Sequence, residues 1–377
     1  MTKPLRSKLR ALGLMSGTSM DGINVALITT DGQASLTRGA SASFAYPADF
    51  QARLRQGLED VKAMLEGNER PGALADLERD LTERHAEAVR AFLAAQGIAP
   101  AAIDVIGFHG QTVLHRPESQ LTVQLGDGQL LAELTGIDVV FDMRAADVAA
   151  GGQGAPLVPV YHHALAAERA ERPIAFLNIG GVANVTWIGA ANELGDELIA
   201  FDTGPGNALI DDWVRAKSGE SWDEGGRLAA AGRLDDAALA HLLAAPFFAA
   251  PPPKSLDRNA FDASALQHLS PADGAATLTA FTAAAVSKAA ALFPAPAQLW
   301  IVSGGGAKNL TMMAMLGKVL AAPVITADSI GLSSASVEAE AWAYLAVRSL
   351  RGLPLSFPKT TGAPAPITGG VLARGKA

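Results

Sequence analysis

At 377 residues, 49% hydrophobic and 18% charged, the chain is long enough for two domains, each with a core of its own. Its formal net charge of -8 supplies no basic field for nucleic acid or an anionic lipid surface, so any phosphate has to be held locally by backbone groups. The absence of cysteine excludes disulfides, thiolate zinc sites, iron–sulfur clusters and a cysteine nucleophile, and suits the reducing cytoplasm.

Lys3, Arg6, Lys8 and Arg10 imitate the start of a signal peptide, but the apolar residues 11–15 that follow are far too few for its hydrophobic region. No apolar run approaches the ~18 residues of a membrane span, and no membrane partner is expected. Residues 12–15 and 23–28 read as strands on either side of "GLMSGTSMDG", Gly13 to Gly22. A Rossmann or P-loop turn would join a strand to a helix, and a P-loop would add a lysine followed by Ser or Thr; this turn joins two antiparallel strands and lacks that lysine. After the turn at Asp31-Gly32, residues 36–46 read as a third strand. Helices are predicted over 50–65 and 74–92, and His85 falls on the apolar stripe of the second as a core residue. Strands over 103–108, 121–125 and 137–141 follow, with a helix over 129–134 capped by Asp127.

The pattern then restarts. Strands over 174–177, 185–188 and 198–201 surround a second glycine turn, Asn178-Ile179-Gly180-Gly181-Val182-Ala183-Asn184. Helices over 207–217, 237–243 and 275–292, a strand over 299–302, a helix over 310–320, a strand over 323–326 and a helix over 335–350 complete the series. The repetition predicts two similar α/β domains, 1–149 and 150–377, divided where "AAGGQGAP" breaks the pattern, with the last helix or tail free to pack back on the first. Each glycine turn is expected to face a cleft between them and grip one polyphosphate from its own side.

A tip made of Gly17, Thr18 and Ser19 can aim several backbone N–H groups at one anion, with hydroxyls as further donors. Asp21 helps a phosphate only through a cation such as Mg²⁺ with its waters; a tight β-turn with Asp21 accepting local N–H bonds is the alternative. Gly180 and Gly181 form a second such tip, and Gly304, Gly305 and Gly306 in "VSGGGAKN" lie between a strand and a helix, where backbone can approach a nucleobase or phosphate. In "FDTGPGNALIDDW", Asp202 ends an apolar strand, the position of a general base whose pKa partial burial would lift, or else of an N-cap or Asx-turn residue. Asp211 and Asp212 read as exposed first-turn acids. His109, Gln111 and Thr112 in "GFHGQTVLH" are read as a loop able to bind a polar substrate. Arg144 is a candidate clamp for a carboxylate or phosphate. Glu338 is either a cleft residue or a solvated first-turn acid. No H-E-x-x-H and no G-x-S-x-G is present, which argues against zinc and serine-elbow hydrolase chemistry.

Taken in order, "GLMSGTSMDG", "FHGQT", "AAGGQGAPLVP", "LNIGG", "FDTGPGN" and "SGGGAKN" resemble the anhydro-N-acetylmuramic acid kinases, members of the actin and sugar-kinase superfamily, over nearly the whole chain. The resemblance implies two ribonuclease H-like (actin-like ATPase) domains, ATP and Mg²⁺ as cofactors, a cytoplasmic homodimer, and an amino-sugar substrate. The implied reaction opens 1,6-anhydro-N-acetylmuramic acid with water and phosphorylates it, a step of cell-wall recycling. It also implies that Gly17, Thr18, Ser19, Met20, Asp21 and Gly22 hold the ATP phosphates, that Asp202 is the general base, and that Arg144 and Glu338 touch the sugar. Asn178 stands where many superfamily members carry a metal-linked aspartate, which would leave more of the cation work to Asp21. Rival readings are another sugar or acyl kinase of the superfamily and a non-catalytic module switched by ATP.

Overall fold

The computed structural model describes residues 6–375 apart from 18, 168 and 191–193, so Thr18 lies outside the described residues. The chain divides into two compact units, residues 1–167 with 335–377, and residues 168–334.

The first unit opens with β1 (Leu9–Met15), β2 (Gly22–Thr30) and β3 (Leu36–Ala45), followed by helices α1 (Ala48–Asp60) and α2 (Leu74–Gln96). Next come β4 (Val105–Phe108), β5 (Gln111–Arg116), β6 (Leu121–Leu125), α3 (Gly128–Thr135), β7 (Val139–Phe141), α4 (Ala145–Ala149) and α5 (Pro159–Ala166). In the second unit β8 (Ile174–Ile179), β9 (Val182–Ile188) and β10 (Leu198–Pro205) lead into α6 (Ala208–Ser218), α7 (Arg227–Ala231), α8 (Asp236–Leu243) and α9 (Pro271–Ala290). It ends with β11 (Leu299–Ser303), α10 (Leu310–Val319) and β12 (Val324–Thr326). The chain then returns to the first unit as α11 (Ser334–Leu350), α12 (Pro358–Thr361) and β13 (Val371–Ala373).

The first unit carries a mixed six-stranded sheet in the order β13-β7-β4-β1-β2-β3, and the second a five-stranded sheet ordered β10-β9-β8-β11-β12. In each, a three-stranded antiparallel meander continues into parallel strands, β1 with β4 and β4 with β7 in one, β8 with β11 and β11 with β12 in the other. The predicted α/β repetition is therefore present. Parallel strands covered on both faces need apolar residues throughout, and β4 and most of β8 are buried at every position.

Local signals act as read. Asp127 caps α3 by accepting the Leu130 N–H at 2.9 Å, whereas α2 runs past the expected 92 to Gln96 and ends at Gly97, whose φ of 62° closes the last turn. His85 is fully buried on the α2 stripe with Nδ1 2.7 Å from Leu81 O, and desolvation lowers its pKa to about 4, so it is a neutral core residue.

Three expectations are corrected. Gln111 and Thr112 begin a strand rather than lie in a loop: β5 pairs with β6 as a separate two-stranded ribbon. Its polar sequence, with Val113 and Leu114 as its apolar pair, gives little alternation to read. The glycines at 151–154 do not end the first unit, because Gln153 N–H donates to Thr361 O at 2.7 Å and ties that loop to the returning tail. Asp202 is inside β10 rather than at its end, since a bulge between Asp202 and Gly204 lets pairing with β9 continue to Pro205.

Helix α11 lies against the first sheet where two strands have no side chains. A Cβ on Gly13 would stand 1.7 Å from Ala339 O, and one on Gly107 2.0 Å from Trp342 O. Gly107→Ala is therefore expected to cost about 2–3 kcal/mol of stability by forcing helix and sheet apart; a urea melt with an unchanged midpoint would refute this packing.

Candidate active site

The first glycine turn is held from below. Ser16 is buried; its Oγ donates to Gln111 Oε1 at 2.7 Å and accepts from the Tyr46 hydroxyl at 3.0 Å, while Gln111 Nε2 donates to Gly17 O at 3.1 Å. Burial raises the Tyr46 pKa far above its usual value, so the phenol stays a neutral donor. Met20 N–H closes the turn on Gly17 O at 3.0 Å, with Met20 buried at φ 56°. Gly22 serves the sheet, because a Cβ there would stand 2.3 Å from Phe44 O. What remains open is Gly17, Ser19 and Asp21, with Ser19 Oγ donating to Asp21 Oδ1 at 2.8 Å.

The same tip borders a recess of about 470 Å³ in the first unit, which Gly17 and Ser19 line together with His109, Thr112, Arg144 and Glu338. Four of the five expected substrate residues thus come together. The fifth, Gln111, is fully buried under the turn and acts on the hairpin rather than on the recess. Arg144 donates Nη1 to Gly154 O at 2.8 Å, and its Nε and Nη2 both lie 3.3 Å from His109 Nε2. An arginine only donates, so His109 Nε2 accepts and its proton sits on Nδ1. Desolvation, reinforced by the Arg144 charge, keeps this imidazole neutral. Burial pushes Arg144 down to about 10, opposed by Glu338 and Asp147, and the guanidinium remains cationic at neutral pH. Glu338 is open to solvent on the recess wall, yet the protein around it raises its pKa against the pull of Arg144. Trp342, one turn beyond Glu338, was not foreseen; its ring lies 5.0 Å from the guanidinium carbon and 4.4 Å from the His109 ring. Its spacing from Glu338 at i, i+4 on one helix face was the available signal.

In the second unit, Asp202 is half-buried. Its Oδ2 accepts the Leu256 N–H at 2.7 Å and its own N–H donates to Lys254 O at 2.9 Å. Desolvation raises its pKa to about 6 despite the Leu256 bond. Oδ1 has no hydrogen-bond partner among the described residues. The supporting segment 254–256 follows a proline run and carried no sequence signal.

The glycines here divide their work. Asn207 N–H donates to Gly180 O at 2.7 Å, and the Gly206 and Ala208 N–H groups reach Gly181 O, so the second turn is locked to the start of α6. Gly304 and Gly306 serve packing, since a Cβ on them would meet Asn178 Oδ1 at 2.6 Å and Ile179 Cγ2 at 2.4 Å. Gly305 lines a cavity of about 650 Å³ with Asn207, Asp211, Trp222 and Lys308. The α10 N-terminus is capped by Asn309 Oδ1, which accepts the Met312 N–H at 2.9 Å. Asp211 also departs from expectation: it lines this cavity, and desolvation raises it to about 6, with Arg215 opposing and Asp212 adding to the rise. Asp212 is exposed, as expected, and pairs with Arg215.

Among the described residues no group of three or more His, Cys, Asp or Glu could hold a metal ion, and no helix is long and apolar enough to cross a membrane. Asp21 offers a single exposed carboxylate beside the turn. That suits an ion which keeps its own waters and takes phosphate oxygens.

A glycine turn beside a polar recess in one α/β unit and a cavity on a glycine loop in the other are in keeping with a kinase of small molecules, the class to which the family match assigns the chain. The chain belongs to the anhydro-N-acetylmuramic acid kinase family, whose model matches residues 9–374. The enzyme of that name from Rhodopseudomonas palustris is 54% identical over 368 residues, 97% of this chain and 99% of its own. That from Methylobacterium nodulans is 54% identical over 377 aligned residues, 97% of this chain and 100% of its own. Among solved structures, a ROK hexokinase from Thermus thermophilus is 16% identical at a TM-score of 0.42, covering 90% of this chain and 100% of its own.

Gln111→Leu is expected to leave the fold intact while freeing Ser16 and Gly17, so that amide hydrogen exchange over residues 16–22 speeds up by ~10-fold or more. Unchanged exchange there would show that Gln111 does not hold the turn.

Proposed function

We infer that this protein is an ATP-dependent kinase that opens 1,6-anhydro-N-acetylmuramic acid with water and yields N-acetylmuramic acid 6-phosphate and ADP, a reaction of cell-wall recycling. Family membership over residues 9–374 supports the substrate class, and the state of Asp202 carries the chemistry. A carboxylate with one oxygen fixed by the Leu256 N–H, the other without a hydrogen-bond partner among the described residues, and a pKa near 6 is oriented and still mostly ionised at neutral pH.

In this reading Asp202 takes a proton from the water whose oxygen bonds to C1 of the sugar. The C1–O6 bond breaks, and the electron pair left on O6 attacks the γ-phosphorus as the β–γ bond breaks to give ADP. The proton on Asp202 leaves to solvent, so one base serves both events. Arg144 binds the sugar carboxylate; His109 holds the guanidinium in place, and Thr112 and Glu338 supply polar contacts on the recess wall. The open backbone of Gly17 and Ser19 suits the phosphate tail, and the cavity at Gly305 suits the nucleoside. Mg²⁺ bound through Asp21 would neutralise phosphate charge.

Asp202→Asn is expected to lower kcat by ~10³-fold or more with the Kd for ATP within ~3-fold; near-normal turnover would remove this mechanism. For the wild type, kcat/KM should fall about tenfold per pH unit below pH ~6, because a protonated Asp202 cannot accept the water proton. With ¹⁸O-labelled water, mass spectrometry should find the label in the sugar and not in phosphate. Label in phosphate would mean plain ATP hydrolysis.

A further inference from the structure

The glycine-rich loop "GGQGAP", residues 151–156, has no role in the mechanism above, and the carboxylate it wraps is among the most buried acids of the chain. Asp147, at 1% exposure, lies in α4. Its Oδ2 accepts the Gly154 N–H at 2.6 Å; its Oδ1 accepts the Ser356 hydroxyl and, at 2.7 Å, the Thr361 hydroxyl. The loop is drawn so close that a Cβ on Gly152 would stand 2.2 Å from Oδ2. Gly152 N–H donates to Asp147 O at 2.8 Å and Gln153 N–H to Thr361 O at 2.7 Å, so the loop cannot drift from either partner. Gly154 then spends its carbonyl on Arg144 Nη1 at 2.8 Å.

We propose that Asp147 is the positioning residue for Arg144, and that the C-terminal segment bearing Ser356 and Thr361 supports the sugar recess through it. The proposal rests on the reading of Arg144 as the clamp for the sugar carboxylate. The guanidinium has two hydrogen-bond partners, Gly154 O and His109 Nε2, beside the Trp342 ring, and among the described residues no carboxylate lies within salt-bridge distance of it. Its charge is therefore left for a ligand, and its direction depends on where Gly154 points its carbonyl. Asp147 fixes that carbonyl through the N–H of the same residue, over a single backbone step. All of its partners are neutral donors, so nothing in its own shell needs a full negative charge. The nearest use for that charge is the cation one residue further along the relay.

The test is a double-mutant cycle on the full-length enzyme with the anhydro-sugar and ATP. Asp147→Asn keeps the shape but offers one acceptor oxygen where the carboxylate offers two, so its N–H group faces either the Gly154 N–H or the Ser356 and Thr361 hydroxyls, and it should raise the sugar KM by ~10- to 100-fold with kcat and the ATP KM within ~3-fold. In an Arg144→Ala background the same substitution should add less than ~3-fold, because the residue it positions is gone. Ser356→Ala and Thr361→Val should each raise the sugar KM in the same direction by a smaller factor, and they carry the same cycle should Asp147→Asn fail to fold. An effect of equal size in both backgrounds, or an unchanged sugar KM, overturns the proposal and leaves the functional reading standing. A wild type that does not turn over the anhydro-sugar overturns the functional reading, and this proposal with it.

Discussion

Two missing side chains set the geometry of the first unit. With Gly13 and Gly107 bare, α11 comes within contact distance of the sheet backbone, Ala339 O over β1 and Trp342 O over β4. A helix held that close has no freedom to slide, so Glu338 and Trp342 stand at defined places beside the end of β1. Trp342 Nε1 donates to Met15 Sδ at 3.1 Å, the last residue before the glycine turn. His109 follows β4 and donates its N–H to Leu14 O at 3.1 Å, and Arg144 follows β7. The recess is thus assembled at the C-terminal ends of three parallel strands, where an α/β sheet leaves room for a ligand. The helix closes its side.

What could be read in advance follows from the range of the interactions. The glycine hairpin, the α2 stripe and the Asp127 cap are local patterns, with every partner within a few residues. The polarity of Gln111 points to the site, but its hydrogen bonds go to Ser16 and Gly17, more than ninety positions away, which no periodicity encodes. The "GGQGAP" loop looked like a boundary because glycines interrupt apolar patterning. In the fold those glycines are close-approach residues, and their partner Thr361 arrives from the far end of the chain. Three-residue β13 likewise has two exposed positions and pairs only with β7. Such an edge exists because its neighbour does.

The glycines of the second unit show the same limit within a motif. "SGGGAKN" suggests three equivalent approach points, yet of the three only Gly305 lines the cavity, since side chains on Gly304 and Gly306 would collide with Asn178 and Ile179. A sequence records that glycine is required, not whether a ligand or the protein itself fills the space.

Asp202 and Asp211 put the final distinction in energetic terms. Burial raises both to about 6, a charging penalty near 3 kcal/mol for Asp202 on the scale of ~1.4 kcal/mol per pKa unit. A raised pKa alone would nominate either as a base. The difference is orientation: Asp202 sits on a strand with Oδ2 tied to the Leu256 N–H, so its second oxygen points in one direction. Among the described residues Asp211 has no comparable backbone donor to its carboxylate, and it stands on α6 among Asp212, Asp223 and two arginines whose fields partly cancel. Proton abstraction needs the carboxylate already aimed when the water arrives. In the proposed reading, binding a nucleoside through hydroxyl groups would tolerate a carboxylate that adjusts, so the strand residue fits the part of the base and the helix residue that of the cavity wall.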